Sequence, residues 1–295
     1  MRLKRSYLLV ILSVLVISST LSARQIHKER SVYRNIVITE NKGKRCMRFE
    51  TRRRSISNQA CIRVRNPDQL VFEYTRSLMA GLSFNSQPKN ILIIGLGGGS
   101  LPMAFNKILP ESNVTSVEID PAVVKLAKKY FNYQESKTIK TAVQDGRVFI
   151  KRAIKRKQQF DWIILDAFNG DYIPEHLLTV EFLAEVKMLL SEGGLLSANT
   201  FTGSRLYDYE SVTYQSVFDK LLILSSATKG NRIIFACNCD DIEKRIDVSD
   251  QLTASLERIG VDIAPLVSRF NAEINWDTSV KPLTDQYSPA NLLNQ

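Results

Sequence analysis

Between residues 90 and 237 short apolar runs alternate with longer stretches of helical periodicity. Residues 91–94 are wholly apolar, the pattern of a strand covered on both faces. Further strands are predicted at 114–119, 138–143, 162–165, 195–199 and 232–237. Helices are predicted from the glycine-rich segment at 95 to about Leu109, and over 121–130, 147–157, 179–190 and 211–222. In the fourth of these Phe182, Leu183, Val186, Leu189 and Leu190 share one side, and Gly193-Gly194 reads as its end. The segment around 252–259 continues the alternation. Such an order predicts a mostly parallel sheet with right-handed crossovers. Upstream, Leu70, Val71, Tyr74, Leu78 and Met79 predict a helix over 68–82. Residues 31–65 read differently: strands at 33–40, 45–50 and 56–64, with a turn at 41–44 where Gly43 can take positive φ. The expected organisation is a β-rich unit over 31–66 ahead of an α/β domain over 67–295.

The first thirty residues follow neither pattern. A basic start, Met1 to Arg5, precedes an uncharged run from Tyr7 to Leu21, then small residues and Arg24. This is the layout of a secretory signal, with Ser22 or Ala23 as cleavage points. The run is shorter than the roughly 20 residues of a membrane span, and the alternative is an uncleaved anchor. Residues 1–23 are therefore expected to be a signal peptide or membrane anchor, with membrane association through 7–21. The chain is expected to be membrane-anchored or exported, on a side the sequence does not choose.

Composition narrows the function. With 44% hydrophobic and 24% charged residues, general disorder is excluded. The net charge of +10 is uneven: residues 1–65 hold 16 basic and 3 acidic side chains, and the remainder 24 and 27. The bulk of the chain is not a polycation, so no nucleic-acid partner is expected. The Arg52-Arg53-Arg54 cluster reads as a solvated hairpin tip.

The strongest chemical signal is Gly95-Leu-Gly97-Gly98-Gly99-Ser100, between a buried strand and a helix. Glycines allow a sharp turn and let a ligand approach without meeting a Cβ. Glu118 ends the next strand, where a carboxylate can accept from both hydroxyls of a ribose. The pyrophosphate form of the loop is not met, because position 100 is Ser, and no phosphate-gripping lysine follows. A nucleoside without phosphates fits best. Asp145, just after the third strand, can receive the exocyclic amine of adenine or cap the next helix. Asp166 ends the fourth strand, where open α/β sheets place ligands. No metal is expected: His176 with Asp171 and Glu175 has no recognised ligand spacing, and Cys237-Asn-Cys239 is atypical for zinc. Cys46 and Cys61 read as structural thiols or, in an exported chain, a disulfide.

Gly95 to Ser100, Val117-Glu118-Ile119-Asp120, Gln144-Asp145-Gly146 and Ile163-Ile164-Leu165-Asp166 resemble, in order and spacing, the spermidine synthases. These are polyamine aminopropyltransferases built on the AdoMet methyltransferase fold. The likeness spans roughly residues 31–290. Leu283 to Pro289 and Asp166 to Pro174 look closer to a divergent, spermidine-synthase-like branch. The resemblance implies an α/β fold, with a Rossmann-like AdoMet-methyltransferase sheet and a small N-terminal β-rich domain. It places Gly95, Gly97, Gly99, Glu118 and Asp145 at the nucleoside, Asp166 and Asp171 at the reaction centre, and Glu73 at the substrate. S-adenosylmethionine or its decarboxylated form would be the co-substrate, a small-molecule amine the acceptor, and a homodimer the assembly.

There are departures. Gly98 stands where the family usually has Asp, and Val71-Phe72-Glu73 replaces Tyr-His-Glu. Asp171 lies five residues beyond Asp166 instead of three. The implied activity is transfer of an aminopropyl or methyl group to an amine or other nucleophile. The alternative is a non-catalytic binder of nucleoside or polyamine. Gly98 would tolerate a donor carboxylate, so Gly98→Asp would shift preference toward the decarboxylated donor.

Overall fold

A computed structural model of the chain describes residues 23–50, 58–168, 172–227 and 230–289. It contains two sheets. The first is antiparallel with strands in chain order: β1 (Arg24–Arg30), β2 (Asn35–Asn41), β3 (Lys44–Glu50) and β4 (Asn58–Arg63). Lys42 and Gly43, both at positive φ, make the two-residue turn between β2 and β3. Ile36, Ile38, Met47 and Phe49 turn inward and pack on Val123, Leu126 and Phe131. Cys46 faces Cys61 directly across β3 and β4, and the two form a disulfide; Cys237 is joined to Cys239.

The strand β1 is absent from the sequence reading, which starts the β-rich unit at 31. Its residues are mostly charged and lack the alternation of a half-buried strand. Side-chain ties hold it instead: Lys28 donates to Glu50 on β3 at 2.8 Å, and Lys125, on the helix Pro121–Tyr130, reaches Glu29 at 2.9 Å.

The expectation of a membrane-anchored or exported chain is overturned among the described residues: no helix there is long and apolar enough to cross a membrane. The Tyr7–Leu21 run and the Arg52–Arg54 cluster lie outside the described residues.

The second sheet has seven strands: β5 (Asn90–Ile94), β6 (Asn113–Glu118), β7 (Ile139–Val143), β8 (Phe160–Leu165), β9 (Leu190–Phe201), β10 (Leu222–Ser225) and β11 (Asn231–Cys237), in the order β10-β11-β9-β8-β5-β6-β7. The strands from β7 to β9 run parallel, and β11 and β10 extend the sheet antiparallel. The crossovers are α2 (Ser100–Ile108), α3 (Pro121–Tyr130), α4 (Gly146–Lys155) and α5 (Val180–Met188), with α6 (Tyr207–Phe218) between β9 and β10. A short α1 (Glu73–Met79) precedes the sheet, and α7 (Asp250–Glu257) and α8 (Ala264–Val267) follow it. The chain leaves β5 toward β6 and β7, then crosses back to β8 and β9. This reversal puts a crevice at the carboxyl ends of β5 and β8.

Three boundaries differ from the sequence reading. The helix at 68–82 begins only at Glu73, because the Arg76 guanidinium takes the carbonyls of Leu70 and Val71 at 2.9 and 3.0 Å. Gly193-Gly194 lies inside β9 rather than ending a helix: Gly193 donates to the Asn238 carbonyl, and Asn238 donates back to that of Gly194. The helix expected to reach 222 stops at Phe218. Asp219 takes positive φ (58°) and turns the apolar residues that follow into β10.

The segment after Trp276 returns as a strap. Asp285 accepts from both Nη atoms of Arg147 (2.6 and 2.7 Å) and from the Thr179 hydroxyl (2.7 Å). The same guanidinium donates to Glu185.

Candidate active site

A cavity of about 280 Å³ opens at the carboxyl ends of β5 and β8, closed on one side by the N-terminal sheet. Gly95, Gly97, Glu118, Asp145 and Asp166, five of the residues singled out in the sequence, line it.

The glycine loop and the loop carrying Asp166 touch through their backbones. Gly95 has φ of 112°, and a Cβ there would sit 2.3 Å from the Asp166 carbonyl oxygen. The Asp166 N–H donates to the Ile94 carbonyl at 2.8 Å. Gly98 has a different reason to be glycine. A Cβ there would lie 2.9 Å from the Ala60 Cβ and 3.1 Å from the Phe131 ring. The residue is pressed between the N-terminal sheet and α3, so an Asp would have to displace Ala60. This corrects the expectation that Gly98→Asp acts simply on donor preference. Gly99 does not line the cavity; it packs on the Tyr133 ring at the start of α2.

Backbone donors hold Glu118. Its Oε2 accepts from Leu96 N–H at 3.2 Å and its Oε1 from Asp120 N–H at 3.0 Å. Burial pushes its pKa up, and those two donors pull it back. Asp120 caps α3 and accepts from the Ser31 hydroxyl at 2.6 Å, which ties the loop before β2 to the cavity rim. Asp145 serves as the N-cap of α4: its Oδ1 accepts from Val148 N–H at 2.9 Å. Its Oδ2 is 3.0 Å from His176 Nε2.

Asp166 is held differently. Its Oδ1 accepts from the Asn199 side-chain amide at 2.8 Å and its Oδ2 from the Tyr74 hydroxyl at 3.4 Å. Desolvation pushes its pKa up to about 7, against the lowering effect of these two bonds. The Tyr74 hydroxyl is driven further up by burial and by the neighbouring carboxyl, so it stays a donor.

Glu73 does not line the cavity, although Phe72 and Tyr74 on either side do. It accepts from Ala227 N–H at 2.6 Å and faces Arg269 at 4.0 Å. Asp171 lies outside the described residues.

The sequence reading missed Tyr74, Asn199 and Arg34. Tyr74 was absorbed into an apolar stripe, and Asn199 closed a predicted strand. A polar residue ending an otherwise buried strand, next to the strand that carries Asp166, is the signal that would have found Asn199. Arg34 lines the cavity from the loop before β2, its guanidinium 4.3 Å from the Phe49 ring centre. It donates to the Phe168 carbonyl at 3.5 Å, and its buried Nε has no partner among the described residues.

The profile of the spermine/spermidine synthase domain matches residues 71–221. Over 273 residues, 91% of each chain, the sequence is 43% identical to a polyamine aminopropyltransferase of Vibrio vulnificus. The fold is similar to that of a probable spermidine synthase from Corynebacterium glutamicum, with a TM-score of 0.64 at 20% identity, covering 86% of this chain and 98% of that one. It is also similar to a spermidine synthase in complex with the transition-state analogue AdoDATO, with a TM-score of 0.63 at 19% identity, covering 85% and 86%.

Proposed function

The chain belongs to the spermine/spermidine synthase family, and from that premise we propose that its cavity transfers the aminopropyl group of decarboxylated S-adenosylmethionine to a polyamine-type amine. The observation that carries this reading is Asp166, a desolvated carboxyl with a pKa of about 7 at the end of β8, beside the glycine loop. In this reading the ribose hydroxyls donate to the remaining lone pairs of Glu118, and the adenine amine donates to Asp145. Gly95 and Gly97 let the nucleoside lie against the backbone. A structural relative holds AdoDATO on the same fold.

The amine nitrogen attacks the propyl carbon bonded to the sulfonium. A C–N bond forms as the C–S bond breaks, the electron pair returns to sulfur, and a neutral thioether nucleoside leaves. The attacking nitrogen must present a lone pair, and the proton it sheds goes to Asp166. A carboxylate of ordinary pKa is a weak base for an amine, whereas one near 7 is matched to neutral pH. The acidic acceptor site here is Asp166 with Tyr74; Glu73, engaged by Ala227 and Arg269, is not part of it.

A second reading, methyl transfer from S-adenosylmethionine, draws on two observations. No acid stands at Gly98 to repel a donor carboxylate, and Arg34 offers a cation in the cavity. The non-catalytic alternative has no support in the comparisons. One experiment separates the readings: incubate the protein with putrescine and each nucleoside, then identify the products by mass spectrometry. Aminopropyl transfer releases 5′-methylthioadenosine from the decarboxylated donor only. Release of S-adenosylhomocysteine instead would overturn it in favour of methylation.

A further inference from the structure

Asp166 is positioned by a chain of side chains that no local motif announces. Leu165 is in register with Ala198, so Asp166, just past the end of β8, and Asn199, within β9, follow side by side on adjacent parallel strands. Asn199 pairs with Ile233 across β9 and β11, and Asn231 pairs with Phe201. Asn231 and Asn199 therefore share a face as diagonal neighbours, within side-chain reach. Asn231 Nδ2 donates to Asn199 Oδ1 at 2.9 Å, and Asn199 Nδ2 donates to Asp166 Oδ1 at 2.8 Å.

The order of these bonds matters. A carboxamide has one accepting and one donating end. By occupying the oxygen of Asn199, Asn231 turns its nitrogen toward Asp166. With the amide reversed, two oxygens would face each other across the same gap. We infer that Asn199, oriented by Asn231, is a positioning residue for the transfer reaction: it fixes the Asp166 carboxyl in the rotamer, and favours the charged form, that receives the amine proton. Tyr74 from α1 is the titratable group bonded to Asp166. Arg34 is the nearby cation, bonded to the Phe168 carbonyl two residues on. Neither can replace Asn199, since Tyr74 holds the other oxygen and Arg34 holds backbone.

This inference rests on the proposed role of Asp166, and its test reads the carboxyl apart from turnover. The Asp166 carboxyl is titrated by carbon NMR, assigned by its loss in Asp166→Asn. The pH profile of 5′-methylthioadenosine release is followed with decarboxylated S-adenosylmethionine and putrescine. Asn199→Leu is expected to raise the Asp166 midpoint by about one pH unit, as loss of a hydrogen bond to a charged group implies. Release at pH 7 should then fall about fivefold, as the charged fraction drops from about a half to about a tenth, and recover by pH 9. Asn231→Leu should move both readouts in the same direction by less, and it decides the matter if Asn199→Leu does not fold. A midpoint unmoved in the folded variants, or a loss equal at all pH values, would overturn the inference. A wild-type protein that titrates as expected and releases no product would sink the proposed function and leave the positioning of Asp166 standing.

Discussion

The two ends of the cavity hold their carboxylates by opposite means. At the end proposed for the nucleoside, Glu118 accepts from Leu96 and Asp120 N–H groups, and Asp145 accepts from Val148 N–H, with the His176 ring beside its other oxygen. The three N–H donors belong to the backbone of the loops and helix starts that define the fold. At the end proposed for the reaction, Asp166 accepts only side-chain donors, Asn199 and Tyr74, among the bonds described. A backbone-held carboxylate is fixed by the fold and suits recognition. A side-chain-held one can be tuned residue by residue, and suits a group that must change its protonation state.

The sharpest way to break this division is Asp166→Asn. It should lower the turnover rate by about 10²- to 10⁴-fold, the range for loss of a positioned base, and leave 5′-methylthioadenosine affinity unchanged by calorimetry. In the wild type the folded pKa is raised, so Asp166 is protonated below about pH 7 and the rate should climb as pH rises through that value. A nucleoside affinity that falls as far as the rate would erase the distinction between the ends.

Glu118→Ala attacks the other end. Nucleoside binding should weaken by about 1.5–3 kcal/mol, the contribution of hydrogen bonds to a charged acceptor. Turnover at saturating donor should stay near the wild-type rate. An equal fall in both would mean that Glu118 also serves the chemistry.

The smallest expected effect concerns the wall that the N-terminal sheet gives the cavity. Gly98→Ala should cost about 1–3 kcal/mol of stability through overpacking against Ala60, read as a lower melting temperature. Adding Ala60→Gly should restore most of it. No recovery would mean that the Phe131 ring, and not the N-terminal sheet, sets the space at Gly98.

The same contrast decides what could be read from the chain alone. The apolar runs and glycines placed β5, β8 and the loop at 95, because parallel strands buried on both faces leave a continuous apolar signature. Glu118 and Asp145 were more legible because each has one backbone partner within a few residues of it in sequence. Asp120 and Val148 bond to carboxylates two and three positions away. The surroundings of Asp166 were not legible. Tyr74 lies 92 positions away and Asn199 lies 33, brought together only by strand order. β1 was hidden for a related reason: its strand character comes from pairing with β2 and from ion pairs, not from alternation. Glu73 was carried by the resemblance, and the geometry turns it out of the cavity.

The strap at Asp285 adds an order in time. The chain is made from its N-terminus, at about 5–20 residues per second. Arg147 meets Glu185 after 38 more residues have been added, and Asp285 only after 138. The first turn of α4, which carries Asp145, is thus held by half of its clamp while the rest of the sheet is completed. The cavity wall beside Asp145 gains the second half of its clamp about 10–40 s after the glycine loop has been synthesised.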